Sequence, residues 1–129
     1  MIYLDSAAVV KLVRNEPSTA ALISWLNNRT GVPLVSSVLV EVEVPRALRR
    51  SAPAALPAVP ATLARLYRLE VDATVRAAAA SFLDPNLRSL DAIHLATALQ
   101  LGRGLDAFVT YDGRLHAFAQ RAGLPAASP

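Results

Sequence analysis

Short apolar runs alternate with helix-forming stretches along the whole chain. Ile2 to Leu4 is an unbroken apolar run ending on Asp5. A run of this kind, lacking polar alternation, reads as a buried central strand rather than an amphipathic edge. Ser6 to Val13 contains no Gly or Pro and predicts a short helix, which Asn15 to Ser18 interrupts. Thr19 to Asn28 predicts a second helix, with Ala21, Leu22, Trp25 and Leu26 on one side at helical spacing. Gly31 and Pro33 mark a turn into a second short strand, Leu34 to Ser36.

The following stretch carries conflicting signals. Val38, Val40, Val42 and Val44 alternate with Leu39, Glu41 and Glu43 as in a half-buried strand. Arg46 to Arg50 is helix material, however, and Ser36 or Ser37 can supply a cap. A strand at Leu34 to Ser36 also needs a crossover helix to reach a parallel neighbour. The reading is therefore a helix over Val38 to Arg50, with a kink or late start at Pro45, whose ring removes a donor and clashes with the Glu41 carbonyl.

Ser51 to Pro60 holds three prolines. It predicts a stiff connector opening a helix near Ala61 to Tyr67. Arg68 to Val71 predicts a third strand, Asp72 a cap for a helix over Ala73 to Leu83, and Pro85 its stop. The strongest helix follows, with Ser89 as N-cap, Asp91 in the first turn and no breaker before Gly102 and Gly104. Asp106 precedes a strand over Ala107 to Thr110. Tyr111, Asp112 and Gly113 then lead to a last helix, Arg114 to Ala122, and a tail that is frayed or forms a short edge segment. Strand and helix in alternation predict an α/β fold with a mostly parallel central sheet flanked by helices.

Composition narrows the function. At 129 residues the chain reads as a single domain, 1–129, large enough to bury a core. It contains no cysteine, so thiol nucleophiles, disulfides and thiolate metal sites are excluded. No apolar segment reaches the roughly 20 residues of a membrane span, and no basic stretch precedes an apolar one at the start. The expectation is a soluble, cytoplasmic protein. The 13 basic and 10 acidic residues give a net charge of +3 and a pI near 10.0. This balance admits nucleic acid as a partner, because arginine forks bind phosphate bidentately. Lys11 is the only lysine, and the richness in Arg, Ala and Pro also fits a codon bias.

Chemistry enters with four acids in comparable places: Asp5 after the first strand, Glu41 or Glu43 on the helix after the second, Asp91 opening a helix, and Asp112 just past the last strand. In open α/β sheets, ligands bind outside the carboxyl ends of the strands. Asp5 alone is equally well explained as a helix cap beside Ser6. Residues two apart on a helix face different ways, so only one of the two glutamates can join the others. Carboxylates gathered in one pocket repel, and a divalent cation, a basic partner or protonation relieves that. An oxygen-rich set suits Mg²⁺ or Mn²⁺ and metal-assisted hydrolysis of a phosphodiester.

The segments IYLDSAAVVKL, EVPRAL, RSLDAIHLATAL and FVTYDGRL together resemble the PIN-domain ribonucleases, specifically the VapC-type toxins of bacterial toxin–antitoxin modules. The resemblance spans nearly the whole chain in order. It implies a Rossmann-like PIN domain and a Mg²⁺- or Mn²⁺-dependent endoribonuclease acting on structured RNA such as tRNA or rRNA. It also implies a cognate VapB-type antitoxin and a homodimer. Asp5 and Asp91 become the primary metal ligands, and Glu43 and Asp112 bind a second ion or position water. Glu43 is chosen over Glu41 because Arg46 and Ala47 follow it at the family's spacing. Thr110 resembles a supporting hydroxyl. Pro45 stands where the family more often has an aliphatic residue.

Other residues have plainer readings. His94, three positions after Asp91, sits in an apolar helix and reads as structural rather than as a ligand. Trp25 reads as core, His116 as surface, and Asp106 as lying at the wrong end of the sheet. Glu16, Glu70, Asp72 and Asp84 read as solvated caps or turns. Lys11, Arg14, Arg46, Arg88 and Arg114 flank the acidic segments and can steer phosphates, with salt bridges to the acids an equal reading for Arg46 and Arg88. A haloacid-dehalogenase-like phosphohydrolase would need an aspartate at position 7, where Ala7 stands, and a receiver domain would need a lysine after a late strand. A non-catalytic PIN-like binding protein is the remaining alternative, and the retention of all four acids speaks against it.

Overall fold

The computed structural model describes residues 1–129. Five parallel strands form one sheet: β1 (Ile2–Leu4), β2 (Leu34–Ser37), β3 (Tyr67–Leu69), β4 (Ala107–Val109) and β5 (Ala126–Ala127), in the order β3-β2-β1-β4-β5. The predicted central strand is central: Tyr3 pairs with Val35 on one side and Phe108 on the other.

Alternation along these strands sorts side chains to two faces. Ile2, Leu4, Ala107 and Val109 enter one core cluster with Leu22, Val40, Val44 and Leu48. Tyr3 and Phe108 point to the other, with Leu95, Ala98 and Leu115. Helices α1 (Ser6–Val13), α2 (Thr19–Asn27), α3 (Val40–Ser51) and the short α4 (Val59–Leu63) supply or adjoin the first cluster. Helices α6 (Ser89–Leu99) and α7 (Gly113–Arg121) supply the second, with α5 (Ala73–Ser81) packed on α6.

Helix wins over strand in the valine-rich stretch because Val40, Val44 and Leu48, each four apart, are all fully buried while Val42 is 64% exposed. The helix starts at Val40, two residues later than the sequence suggests, and runs through Pro45. Ser37 does not cap it but accepts the Leu39 N–H in the preceding turn.

Other boundaries move as well. The proline-rich connector forms a 3₁₀ helix over Pro53–Ala58, and α4 runs from Val59 to Leu63 rather than over Ala61 to Tyr67. Tyr67 instead opens β3, which ends at Leu69. Helix α5 stops at Ser81, with Asp72 capping it through the Val75 N–H as expected. Ser89 is the first residue of α6 rather than its cap, the extended cap position belonging to Arg88. The tail closes the sheet edge as β5. No helix is long and apolar enough to cross a membrane.

Strand order places the site. The chain leaves β1 toward β2 and β3, then returns to lay β4 on the opposite side of β1. The carboxyl ends of β1 and β4 therefore border a topological switch point, where open α/β sheets leave a crevice.

Candidate active site

Asp5 continues the β1 ladder, its N–H bonded to the Val109 carbonyl at 3.1 Å. Its Oδ1 accepts the Ala8 N–H at 2.8 Å, so it also caps α1. The cap role and the rim position coexist in one side chain. Asp5 is 4% exposed. Burial raises its pKa, the neighbouring Thr110 hydroxyl and the Ala8 N–H partly offset this, and the charge of Asp91 adds to the rise. Thr110 is fully buried and its Oγ1 accepts the Asp112 N–H at 3.1 Å.

The two glutamates part company as helix geometry requires. Glu41 turns out to Arg68, at 2.8 Å. Glu43 reaches inward, where its Oε1 accepts from Ser6 Oγ at 2.9 Å and lies 2.9 Å from His94 Nε2. Burial works against charge on Glu43, but the hydrogen bond from His94, the Ser6 hydroxyl and Arg88 outweigh it and lower its pKa.

Asp91 stands in the first turn of α6, and Asp112 caps α7 by accepting the Arg114 and Leu115 N–H groups at 2.9 and 3.0 Å. One guanidinium joins them: Arg88 donates from Nε to Asp91 at 2.7 Å and from an Nη to Asp112 at 2.8 Å. The Leu115 N–H is the chief cause that holds the Asp112 pKa low, with the Arg114 N–H and Arg88 adding to it against burial.

Asp5, Glu43, Asp91 and Asp112 thus line one rim while Glu41 does not, and Asp91 is close enough to raise the cost of ionising Asp5. No three carboxylates or imidazoles sit near enough to one another to enclose an ion. The groove between α1 and α3 leads onto this rim past Val10, Glu43, Arg46, Arg50 and Leu90. A second hollow beside it runs past Lys11 and Tyr111 to Asp112.

The basic residues divide. Arg88 forms the expected bridges, whereas Arg46 forms none and stays exposed. Lys11 and Arg14 both bind Glu16, at 2.6 and 2.7 Å. Glu16 is therefore an ion-pair hub rather than a solvated turn residue. Asp106 lies at the opposite end of the sheet, paired with the Met1 ammonium group. Trp25 is half-buried against the core, with the Arg29 guanidinium 3.7 Å from its ring centroid.

Ser6 and Tyr3 had no signal of their own in the sequence beyond flanking Asp5. Their contacts to Glu43 and His94 cross between residues 37 and 91 positions apart, which no local spacing encodes.

Comparison with known proteins agrees with this architecture. The PIN domain family model matches residues 2–121. Ribonuclease VapC35 of Mycobacterium tuberculosis is 50% identical over 131 residues, covering 100% of this chain and 97% of that protein. Ribonuclease VapC46 of Mycobacterium tuberculosis (strain ATCC 25618 / H37Rv) is 45% identical over 128 residues, covering 99% of this chain and 97% of that one. The crystal structure of Mycobacterium tuberculosis VapC20, a Sarcin-Ricin loop cleaving toxin, superposes with a TM-score of 0.74 over 100% of both chains at 16% identity, a likeness of fold. An N-terminal central strand, an acid-lined switch point and full-length relatives of one kind lead to one conclusion: the chain belongs to the PIN-domain family and, within it, to the VapC-type toxins.

Proposed function

We propose that the chain is a Mg²⁺- or Mn²⁺-dependent endoribonuclease, the toxin of a toxin–antitoxin pair, that cleaves structured RNA such as tRNA or rRNA and is silenced by a VapB-type antitoxin. The observation that carries the reading is the rim where Asp5, Glu43, Asp91 and Asp112 meet, two of them already drawn onto a single guanidinium. The names of the relatives point the same way, as ribonucleases.

The donor set suits a hard cation. It is made of carboxylates, Asp5 carries its charge at a cost that burial and Asp91 impose, and a basic group spans Asp91 and Asp112 in the manner of a counter-ion. Asp5 and Asp91 would hold the ion, with Glu43 and Asp112 completing its surroundings or orienting the attacking water. When bound, such a cation supplies charge stabilisation at the phosphate and a water of lowered pKa. The protein's own part is placement. The Ala8 N–H fixes one oxygen of Asp5, the start of α7 fixes Asp112, and the exposed Arg46 and Arg50 beside the groove attract the RNA backbone. A homodimer acting in the cytoplasm completes the reading. A haloacid-dehalogenase-like reaction finds no support, since Ala7 leaves no second aspartate on α1.

The experiment is cleavage of total tRNA and rRNA by purified protein, free of antitoxin, with Mg²⁺, Mn²⁺ or EDTA. Cleavage in either cation and none in EDTA is expected, with loss of about 100-fold or more in Asp5→Asn and Asp91→Asn. Undiminished cleavage by either variant overturns the site, and undiminished cleavage in EDTA overturns the metal.

A further inference from the structure

Beneath the acidic rim lies one buried imidazole to which the reaction outlined above gives no task. His94 is 1% exposed and stands one turn along α6 from Asp91. Its Nδ1 is 2.8 Å from the Tyr3 hydroxyl, and its Nε2 is 2.9 Å from Glu43 Oε1 and 3.1 Å from Ser6 Oγ. Tyr3 is itself held on both sides, stacked on Phe108 at 5.3 Å and edge-on to His94 at 5.9 Å between ring centroids.

The proton positions follow from donor and acceptor capacity. An ionised carboxylate only accepts, so the bond between Nε2 and Glu43 requires the proton on Nε2. With that proton on Nε2 and the ring neutral, the lone pair is on Nδ1, and the Tyr3 hydroxyl 2.8 Å away donates to it. The result is a one-way chain from Tyr3 through His94 to Glu43. Ser6 donates to the same oxygen, so Oε1 is doubly held while Oε2 has no hydrogen bond.

We propose that His94 is a positioning residue of the ribonuclease site: with Tyr3 fixing its tautomer and Ser6 beside it, it pins Oε1 of Glu43 and leaves Oε2 as the oxygen offered to the reaction. A purely packing role would be met by leucine, without the burial of polar atoms that must all be satisfied. Here every buried polar side-chain atom is satisfied. A direct ligand role is closed to His94, because both ring nitrogens are engaged and the ring is out of reach of solvent.

The inference rests on the ribonuclease reading, so its test needs one readout that does not depend on cleavage. In protein with ¹⁵N-labelled histidine, the ring of His94 should show the Nε2–H tautomer, and Tyr3→Phe, which removes one oxygen and keeps the aromatic stack, should shift that tautomer population. A wild-type Nδ1–H tautomer, or a ring spectrum unaffected by Tyr3→Phe, overturns the pinning. For cleavage, His94→Leu should lower kcat about tenfold or more with KM for RNA unchanged, the scale of a misplaced catalytic group. His94→Gln, which restores a donor, should recover most of it. In a Glu43→Gln background His94→Leu should cost nothing further. Losses that multiply in the double variant overturn the proposal, since His94 would then act other than through Glu43. Should His94→Leu fail to fold, Tyr3→Phe carries the cycle alone, with a severalfold loss expected in wild type and none in Glu43→Gln. Wild-type protein inactive with both cations would refute the ribonuclease reading, while the NMR arm would still decide whether Glu43 is pinned.

Discussion

The acidic rim has two unlike halves. Asp5 and Glu43 sit on the β1 side, one of them buried, and are gripped by a backbone N–H, a hydroxyl and a ring nitrogen. Asp91 and Asp112 sit on the other side, 21% and 33% exposed, and share an arginine whose own side chain is 64% exposed. The first half is fixed by the core. In the second, the start of α7 holds Asp112, but Asp91 is tied to it only through one long, solvated side chain that can move away at little cost. A rim assembled this way has one rigid side and one adjustable side.

Neutralising one acid in each half should separate the two most sharply. Asp5→Asn and Asp91→Asn should both abolish cleavage, yet Asp5→Asn should raise Tm. It removes a charge that burial disfavours, while asparagine still caps α1 through the Ala8 N–H. A gain of about 1 kcal/mol, or a few degrees by calorimetry, is the expected scale. Asp91→Asn should leave Tm unchanged or slightly lower. Equal Tm changes would mean that the halves do not differ in the way their burial implies.

Within the first half, Glu43→Gln should reduce cleavage at least tenfold, while Glu41→Gln, which loses only an exposed pair with Arg68, should cleave like wild type. The reverse result in a side-by-side kinetic assay would transfer the site to Glu41. In the second half, Arg88→Ala should cost less than about 1 kcal/mol in urea unfolding, as exposed ion pairs do. A larger loss would show that the bridge is part of the fold rather than a movable tie.

Glu16 supplies a carboxylate outside these four for contrast. Lys11, chiefly through its hydrogen bond, and Arg14 hold its pKa below the usual 4.5 against burial. The stability it contributes is present above 4.5 and is lost as pH falls through the lower folded value. Glu16→Gln should therefore lower stability by roughly 1 kcal/mol at neutral pH, and the gap to wild type should close on acidification. A gap independent of pH would exclude the ion pairs as its cause.

Much of this was legible in the sequence because the pattern is strong where the core is. The run at Ile2 to Leu4, the uninterrupted helix around Asp91 and the alternation of element types lead directly to the central strand, to α6 and to the parallel sheet. The boundaries at α4 and β3 were not legible, since prolines at 53, 57 and 60 fit both a connector and a 3₁₀ turn. At the site, strand ends and helix starts locate Asp5, Asp91 and Asp112 on one rim, and the two-residue spacing of the glutamates leaves room for only one. What holds these acids is not local. The bridge from Arg88 to Asp112 and the chain from Tyr3 through His94 to Glu43 exist only once α6 is packed on the assembled sheet.

The strand order also fixes when the rim can exist during synthesis. Asp5 leaves the ribosome more than a hundred residues before Val109, whose carbonyl receives its N–H. Pairings so distant in sequence form late, because the intervening chain must first be ordered. A nascent chain therefore holds its acids apart until β4 and Asp112 have emerged, so the rim is a property of the finished sheet and of no shorter part of it.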